Sequence, residues 1–230
     1  YASKNEPIEL DSLNNAGRWS RKKSSAKKNV QNIVNKLVNT YMNRENSYRE
    51  PIAALDNEDV FINDFKHVPT KDQILCWQDI KNDLCNNIPI DRLICGDVGF
   101  GKTELAIRIA YRYVSNSKKV LVLSPTTILS EQLYEAFLDR MEKYGVMIDR
   151  ISRFRTTKTI NQIKNSWINN RIDLIVGTHA LLYNKLYLES CDLLIIDEEH
   201  RFGVKQKEKI KNINPAIDII TMSATPIPRT

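Results

Sequence analysis

Gly96-Asp97-Val98-Gly99-Phe100-Gly101-Lys102-Thr103 is the stretch on which the fold turns. It follows the apolar run Leu93-Ile94-Cys95 and leads into Glu104-Leu105-Ala106-Ile107-Arg108-Ile109-Ala110, which has helical character. Strand, glycine-rich loop and helix in that order satisfy the phosphate-loop pattern G-x-x-x-x-G-K-[ST] in the context it requires. The glycines let backbone N–H groups turn inward around phosphates, and Lys102 supplies a point charge for the β- and γ-phosphates. The Thr103 hydroxyl can ligate Mg²⁺. A glycine-rich turn with an incidental lysine would not bring strand, helix and all four fixed positions into agreement.

A second carboxylate-bearing stretch lies downstream. Leu193-Leu194-Ile195-Ile196 places Asp197-Glu198-Glu199-His200 at a strand end. There Asp197 can hold Mg²⁺ while Glu198 polarises an attacking water. A salt-bridged acidic turn is the alternative, and a phosphate loop at this separation makes it the poorer account. Upstream, Phe65 precedes Thr70 and Gln73, and Ile74, Trp77, Ile80 and Leu84 follow at helical spacing. Thr70 and Gln73 fit a capping box. Beside a phosphate loop, the same Phe65 and Gln73 can instead clamp an adenine, the ring stacking on the base and the amide reading its edge.

The remaining strands end in polar groups. Val120-Leu121-Val122-Leu123 gives way to Ser124-Pro125-Thr126-Thr127, ahead of a helix carrying Leu133, Phe137 and Met141. A strand over 146–151 delivers Ser152-Arg153-Phe154-Arg155, and Leu174-Ile175-Val176 ends in Gly177-Thr178-His179. A last strand, Ile217 to Met222, opens into Ser223-Ala224-Thr225. Short apolar runs alternating with helical patterns predict an α/β chain with a mostly parallel central sheet and helices on both faces. Three polar strand ends on one rim would form a groove for a phosphate backbone. Taken singly, Thr126 is an ordinary helix cap and Gly177-Thr178-His179 means little.

Residues 1–17 read as an irregular lead-in, and a helix is predicted from about Ser20. Val30, Ile33, Val34, Leu37, Val38 and Tyr41 form one amphipathic stripe, so a basic linker helix over 1–50 precedes a domain over 51–230. The net charge of +6 is uneven. Residues 1–50 carry ten Lys/Arg against five Asp/Glu, and the rest of the chain is nearly neutral. That block is either a nucleic-acid contact or a solvated helix face. The run Lys205, Lys207, Lys209 and Lys211 reads as a solvated face. No apolar run approaches the ~18 residues of a membrane span, and the four cysteines show no C-x-x-C pairing, so reduced thiols and a cytoplasmic setting are expected. The absence of an initiator Met suggests an excised fragment.

Read together, the phosphate loop, Pro125-Thr126-Thr127, Gly177-Thr178-His179, Asp197-Glu198-Glu199-His200 and Ser223-Ala224-Thr225 resemble the motif series of superfamily 2 helicases and translocases. The resemblance narrows to the bacterial transcription-repair coupling factor family, Mfd, through Gly96 to Glu104, Ile151-Ser152-Arg153-Phe154, Asp197 to Val204 and Ala224 to Thr230. Trp19-Ser20-Arg21 is similar to that family's segment ahead of the motor. The RecG branch-migration family is similar through Gly177 to Leu181 and Pro226 to Thr230. It usually has Ser at the position of Phe100 and Gln at that of Glu199. Lys66, His67 and Lys71 depart from the coupling-factor pattern around the adenine motif.

The resemblance implies a first RecA-like lobe of an ATP-dependent, Mg²⁺-using double-stranded DNA translocase, completed by a second RecA-like lobe. It implies RNA polymerase and excision-repair factors as partners through other parts of the protein, and no membrane. Lys102, Asp197, Glu198 and His200 would carry catalysis, with Thr103 and Asp197 on the metal. The nucleotide would meet Phe65, Thr70, Gln73 and the loop residues Gly96, Asp97, Val98, Gly99, Phe100, Gly101, Lys102, Thr103 and Glu104. DNA would meet Pro125, Thr126, Thr127, Ser152, Arg153, Phe154, Gly177, Thr178 and His179. Without the second lobe, weak binding of Mg·ATP and little hydrolysis are expected. A different class of reading makes the piece a nucleotide-insensitive binding module acting through residues 18–44.

Overall fold

The computed structural model describes residues 16–152, 155–198 and 204–224. The expectations placed on Arg153, Phe154, Glu199, His200, the stretch 225–230 and the lead-in 1–15 lie outside the described residues. The chain divides into two compact units, Tyr1–Met42 and Asn43–Thr230.

The first unit holds most of helix α1 (Ala16–Glu45). It begins a turn earlier than the expected Ser20, because a glycine near a helix end costs at most about 1 kcal/mol. Val30, Val34 and Val38 of the apolar stripe are exposed along it.

In the second unit, six strands form one sheet in the order β1-β6-β5-β2-β4-β3, and every pairing is parallel. They are β1 (Asp91–Cys95), β2 (Val120–Ser124), β3 (Ile148–Ile151), β4 (Leu174–Thr178), β5 (Leu193–Asp197) and β6 (Asp218–Ser223). The apolar runs of β2, β4 and β5 become the buried middle of the sheet, which is why they show no polar alternation. Alternate residues of one strand enter different cores. Val120 and Val122 pack on one face with Ile80, Ile109 and Phe137, while Leu121 and Leu123 pack on the other with Trp167, Leu188 and Ile210.

The first face is covered by α2 (Glu58–Asn63), α3 (Lys71–Leu84), α4 (Lys102–Ser115) and α5 (Thr127–Met141). The second is covered by α6 (Thr157–Ile168), α7 (Lys185–Glu189) and α8 (Val204–Ile213). This is the parallel α/β architecture expected from the alternation of elements, and the RecA-like lobe that the family resemblance implies. A short 3-10 turn (His179–Tyr183) and α7, which the sequence patterning does not signal, fill the path from β4 to β5. The basic face of α8 is not wholly solvated. Lys207 and Lys211 are buried, and Lys211 Nζ pairs with Asp91 at the start of β1.

Candidate functional site

The carboxyl ends of all six strands lie on one rim, since parallel strands end together. Along that rim the sheet splits into two halves. β1, β6 and β5 deliver the phosphate loop, Ser223 and Asp197, whereas β2, β4 and β3 deliver Ser124, Thr178 and Ile151.

The phosphate loop spans 96–101 between β1 and α4. Its tip residues Asp97, Val98, Gly99 and Phe100 are exposed, so the loop mouth is open. Gly99 and Gly101 have φ of 84° and 70°, a region in which only glycine is unstrained. Lys102 Nζ donates to the carbonyls of Gly96 and, at 2.8 Å, Asp97. The ammonium thus stands among the loop's own carbonyls, where a phosphate would exchange partners with them. The N-terminus of α4, a helix of 14 residues, adds its free N–H groups and positive end.

Asp197 ends β5 opposite Met222. Burial raises its carboxyl above the usual range, the neighbouring Glu198 raises it further, and Lys102 opposes both. Such a carboxylate is stabilised by added positive charge, and it and the Thr103 hydroxyl are hard oxygen donors of the kind that would suit Mg²⁺. Glu198 holds a φ of 57°, uncommon for a residue of its size. Among the described residues the buried Ser223 Oγ has no hydrogen-bond partner, which leaves a polar atom beside this half of the rim.

The capping-box reading of Gln73 is met by the geometry. Thr70 Oγ1 accepts from Gln73 N at 3.3 Å and Gln73 Oε1 accepts from Thr70 N at 2.8 Å, which is the capping box. Gln73 Nε2 also donates to the Phe100 carbonyl at 2.8 Å. One N–H and one lone pair of the amide are left over for a further partner, as base reading would require. Phe65, Gly101, Thr103 and Glu104 line a cleft of about 370 Å³ together with Asp139 and Arg140. Glu104 forms part of this wall, because its carboxylate is taken by Arg108 at 2.9 Å and Arg140 at 2.9 Å. Arg108 and Arg140 carry no local motif, and sequence reading missed them.

In the other half of the rim, Pro125, Thr126, Thr127, Thr178 and His179 share a cleft of about 370 Å³. The strand register explains it, for Ser124 lies beside Thr178 and Ile151 beside Gly177, so Ser152 enters the same row. Thr126 is also the helix cap of the blander reading, accepting from Leu129 N at 3.2 Å. A Cβ on Gly177 would stand 2.6 Å from Leu181 Cδ1 and 2.8 Å from the Ile151 carbonyl, so the close approach of β3, β4 and the 3-10 turn requires glycine.

A family model for DEAD/DEAH box helicases matches residues 70–230. The chain belongs to the DEAD/DEAH box helicase family. Over its whole length it is 41% identical to the transcription-repair-coupling factors of Staphylococcus haemolyticus (strain JCSC1435) and Staphylococcus aureus (strain USA300). It covers 20% of each, so it spans about a fifth of these curated relatives. The solved structure of RecG bound to a three-way DNA junction is similar to it with a TM-score of 0.70 and 30% identity, over 84% of this chain and 26% of that one. The UvsW helicase of bacteriophage T4 shares the fold, with a TM-score of 0.55 at 18% identity over 77% of this chain and 62% of that one. Among the described residues, no helix is long and apolar enough to cross a membrane.

Proposed function

We propose that this helicase-family lobe is the first motor lobe of an ATP-dependent double-stranded DNA translocase of the transcription-repair coupling kind, working in the cytoplasm. The observation that carries the proposal is the division of one sheet rim. A phosphate loop with Asp197 and Glu198 occupies one half, and a polar cleft of Thr126, Thr127, Thr178 and His179 occupies the other. Nucleotide chemistry and a phosphate backbone are thereby served by one rigid sheet. The similarity to full-length coupling factors supports RNA polymerase and excision-repair factors as partners met through the rest of the protein.

In this reading Phe65 and Gln73 hold the adenine, and Lys102 and the loop amides hold the phosphates. Glu198 orients and deprotonates the attacking water. Mg²⁺, held by Thr103 and Asp197, would neutralise phosphate charge. A second RecA-like lobe supplies the arginine that completes the site, so the chain by itself binds Mg·ATP weakly and turns it over slowly.

Calorimetric titration tests the assignment. Wild type is expected to bind Mg·ATP, and Lys102→Ala to lose that binding while keeping its melting temperature. Retained ATP affinity in the Lys102 variant would contradict the role given to the loop. The likeness to RecG supports a second reading, a branch-migration motor. In the full-length protein, removal of stalled RNA polymerase favours the first reading, and remodelling of three-way junctions without that activity favours the second.

A further inference from the structure

Arg140 sits in the last turn of α5 and ties together three parts of the second unit. Its Nε and Nη2 reach Glu104 Oε2 at 3.2 Å and Oε1 at 2.9 Å, a two-pronged hold on the first turn of α4. Its Nη2 also donates to the Phe61 carbonyl at 3.0 Å, and its Nη1 meets Asp64 Oδ2 at 3.3 Å. The guanidinium carbon lies 4.5 Å from the Phe61 ring centroid and 5.4 Å from that of Phe65. Phe65 is only half-buried, and Lys66 and His67 beyond it are exposed. The segment that carries this ring is therefore fastened on its N-terminal side, at Phe61 and Asp64, by Arg140, with Lys143 and Tyr144 also on Asp64 and Tyr111 and Tyr144 against Phe61.

We propose that Arg140 is a positioning residue for base recognition: it holds the Phe65 ring in the orientation that stacks on a nucleotide base and joins that ring to the phosphate-loop helix through Glu104. This rests on the reading of the cleft as an adenine-nucleotide site. Stacking depends steeply on ring separation and tilt, whereas phosphate binding at Lys102 does not involve Phe65. Arg140 thus governs the base-dependent part of affinity and leaves the phosphate-dependent part alone. Arg108, whose guanidinium carbon is 5.9 Å from the Phe65 centroid and which shares Glu104, is the second support of the same ring.

The test is a titration of the full chain with Mg·ATP, Mg·CTP and inorganic tripolyphosphate. Arg140→Gln is expected to lower the ratio of ATP to CTP affinity about tenfold, the scale of one lost cation–π or stacking contact. Tripolyphosphate affinity should stay within about twofold of wild type. Phe65→Leu should lose the same ratio, and the double variant should lose no more than either single one. Arg140→Lys keeps the charge but loses the fork, and Asp64→Asn weakens the outer anchor. Both should lower the ratio by less, and they carry the test if Arg140→Gln does not fold. An unchanged ratio, additive losses with Phe65→Leu, or an equal fall in tripolyphosphate affinity overturns the proposal. A wild-type chain that binds tripolyphosphate but does not distinguish ATP from CTP also overturns it. A wild type that binds none of the three overturns the nucleotide-site reading itself.

Discussion

Gln73 Nε2 donates to the carbonyl of Phe100 at 2.8 Å, joining the first turn of α3 to the tip of the phosphate loop. The same amide closes a capping box with Thr70, so one side chain stabilises a helix start and restrains the loop proposed to receive phosphates. A Cβ on Gly101 would stand 2.4 Å from this nitrogen, which shows how closely the two segments meet.

Gln73→Glu separates the two duties. Glutamate serves a capping box as well as glutamine does and suits the positive helix end, so the melting temperature is expected to hold or rise slightly. The donor to Phe100 is lost and a carboxylate faces a carbonyl instead. Affinity for Mg·ATP should fall about tenfold, the scale of one broken hydrogen bond with an unpaired group. Unchanged affinity by calorimetry would show that the amide acts only as a cap.

Glu198 holds left-handed backbone at φ 57°, a conformation that costs about 1–3 kcal/mol for a residue of this kind. Asparagine tolerates it better than glutamine does. Both Glu198→Asn and Glu198→Gln remove the charge, so comparing them isolates the backbone. The Asn variant is expected to be the more stable by about 1 kcal/mol in urea melts. In a protein containing the second lobe, neither should hydrolyse ATP at the wild-type rate, although both should bind it. Equal stability of the two would show that the conformation is unstrained.

Gly177→Ala tests the packing under the second half of the rim. The new methyl would meet the Ile151 carbonyl at 2.8 Å, a backbone atom in an adjacent strand that cannot swing aside. A loss of about 1–3 kcal/mol is expected, the usual cost of overfilling a packed core. Because Ser152 and Thr178 flank the contact, affinity for duplex DNA should fall further than stability alone explains. A variant as stable as wild type would show that β3 separates from β4 easily.

The central strands were legible because burial on both faces leaves no polar residue in Val120-Leu121-Val122-Leu123 or Leu193-Leu194-Ile195-Ile196, and the phosphate loop because its spacing is fixed by phosphate geometry. The polar strand ends were legible as residues but acquire meaning only from the order β5-β2-β4-β3, which places them in one row. Arg140 and Lys211 were not legible. Arg140 reaches Glu104 36 residues away, and Lys211 reaches Asp91 120 residues away. Neither pair leaves a periodic trace in the chain. Lysine spacing on α8 suggested solvent, and pairing with Asp91 at the edge strand reversed that for Lys211.

The same holds for Arg49 and Asp218, whose coupling predicts a pH-dependent stability. Arg49 Nε lies 3.2 Å from Asp218 Oδ2, with both side chains buried, and its other donors take the carbonyls of Asp83 at 2.9 Å and Asn86 at 2.6 Å near the C-terminal end of α3. Asp218 also accepts from Ile90 N at 2.6 Å and from the Tyr113 hydroxyl. Burial pushes the Asp218 carboxyl up to about 6, against the pull of Arg49, Tyr113, Ile90 N and Arg44. The folded chain therefore keeps this proton to higher pH than the unfolded chain does. Its contribution to stability is full below about pH 4 and is lost as pH rises through 6, by at most about 3 kcal/mol. Asp218→Asn should flatten that slope between pH 4 and 6 in urea melts, at some cost from the unpaired guanidinium. Arg49→Met removes the main charge that holds the carboxyl down, so the loss should extend above pH 6. Stability at pH 7 should fall by about 3–5 kcal/mol, the cost of breaking a buried pair. An Arg49 variant whose pH profile matches wild type would show that Asp218 titrates independently of the arginine.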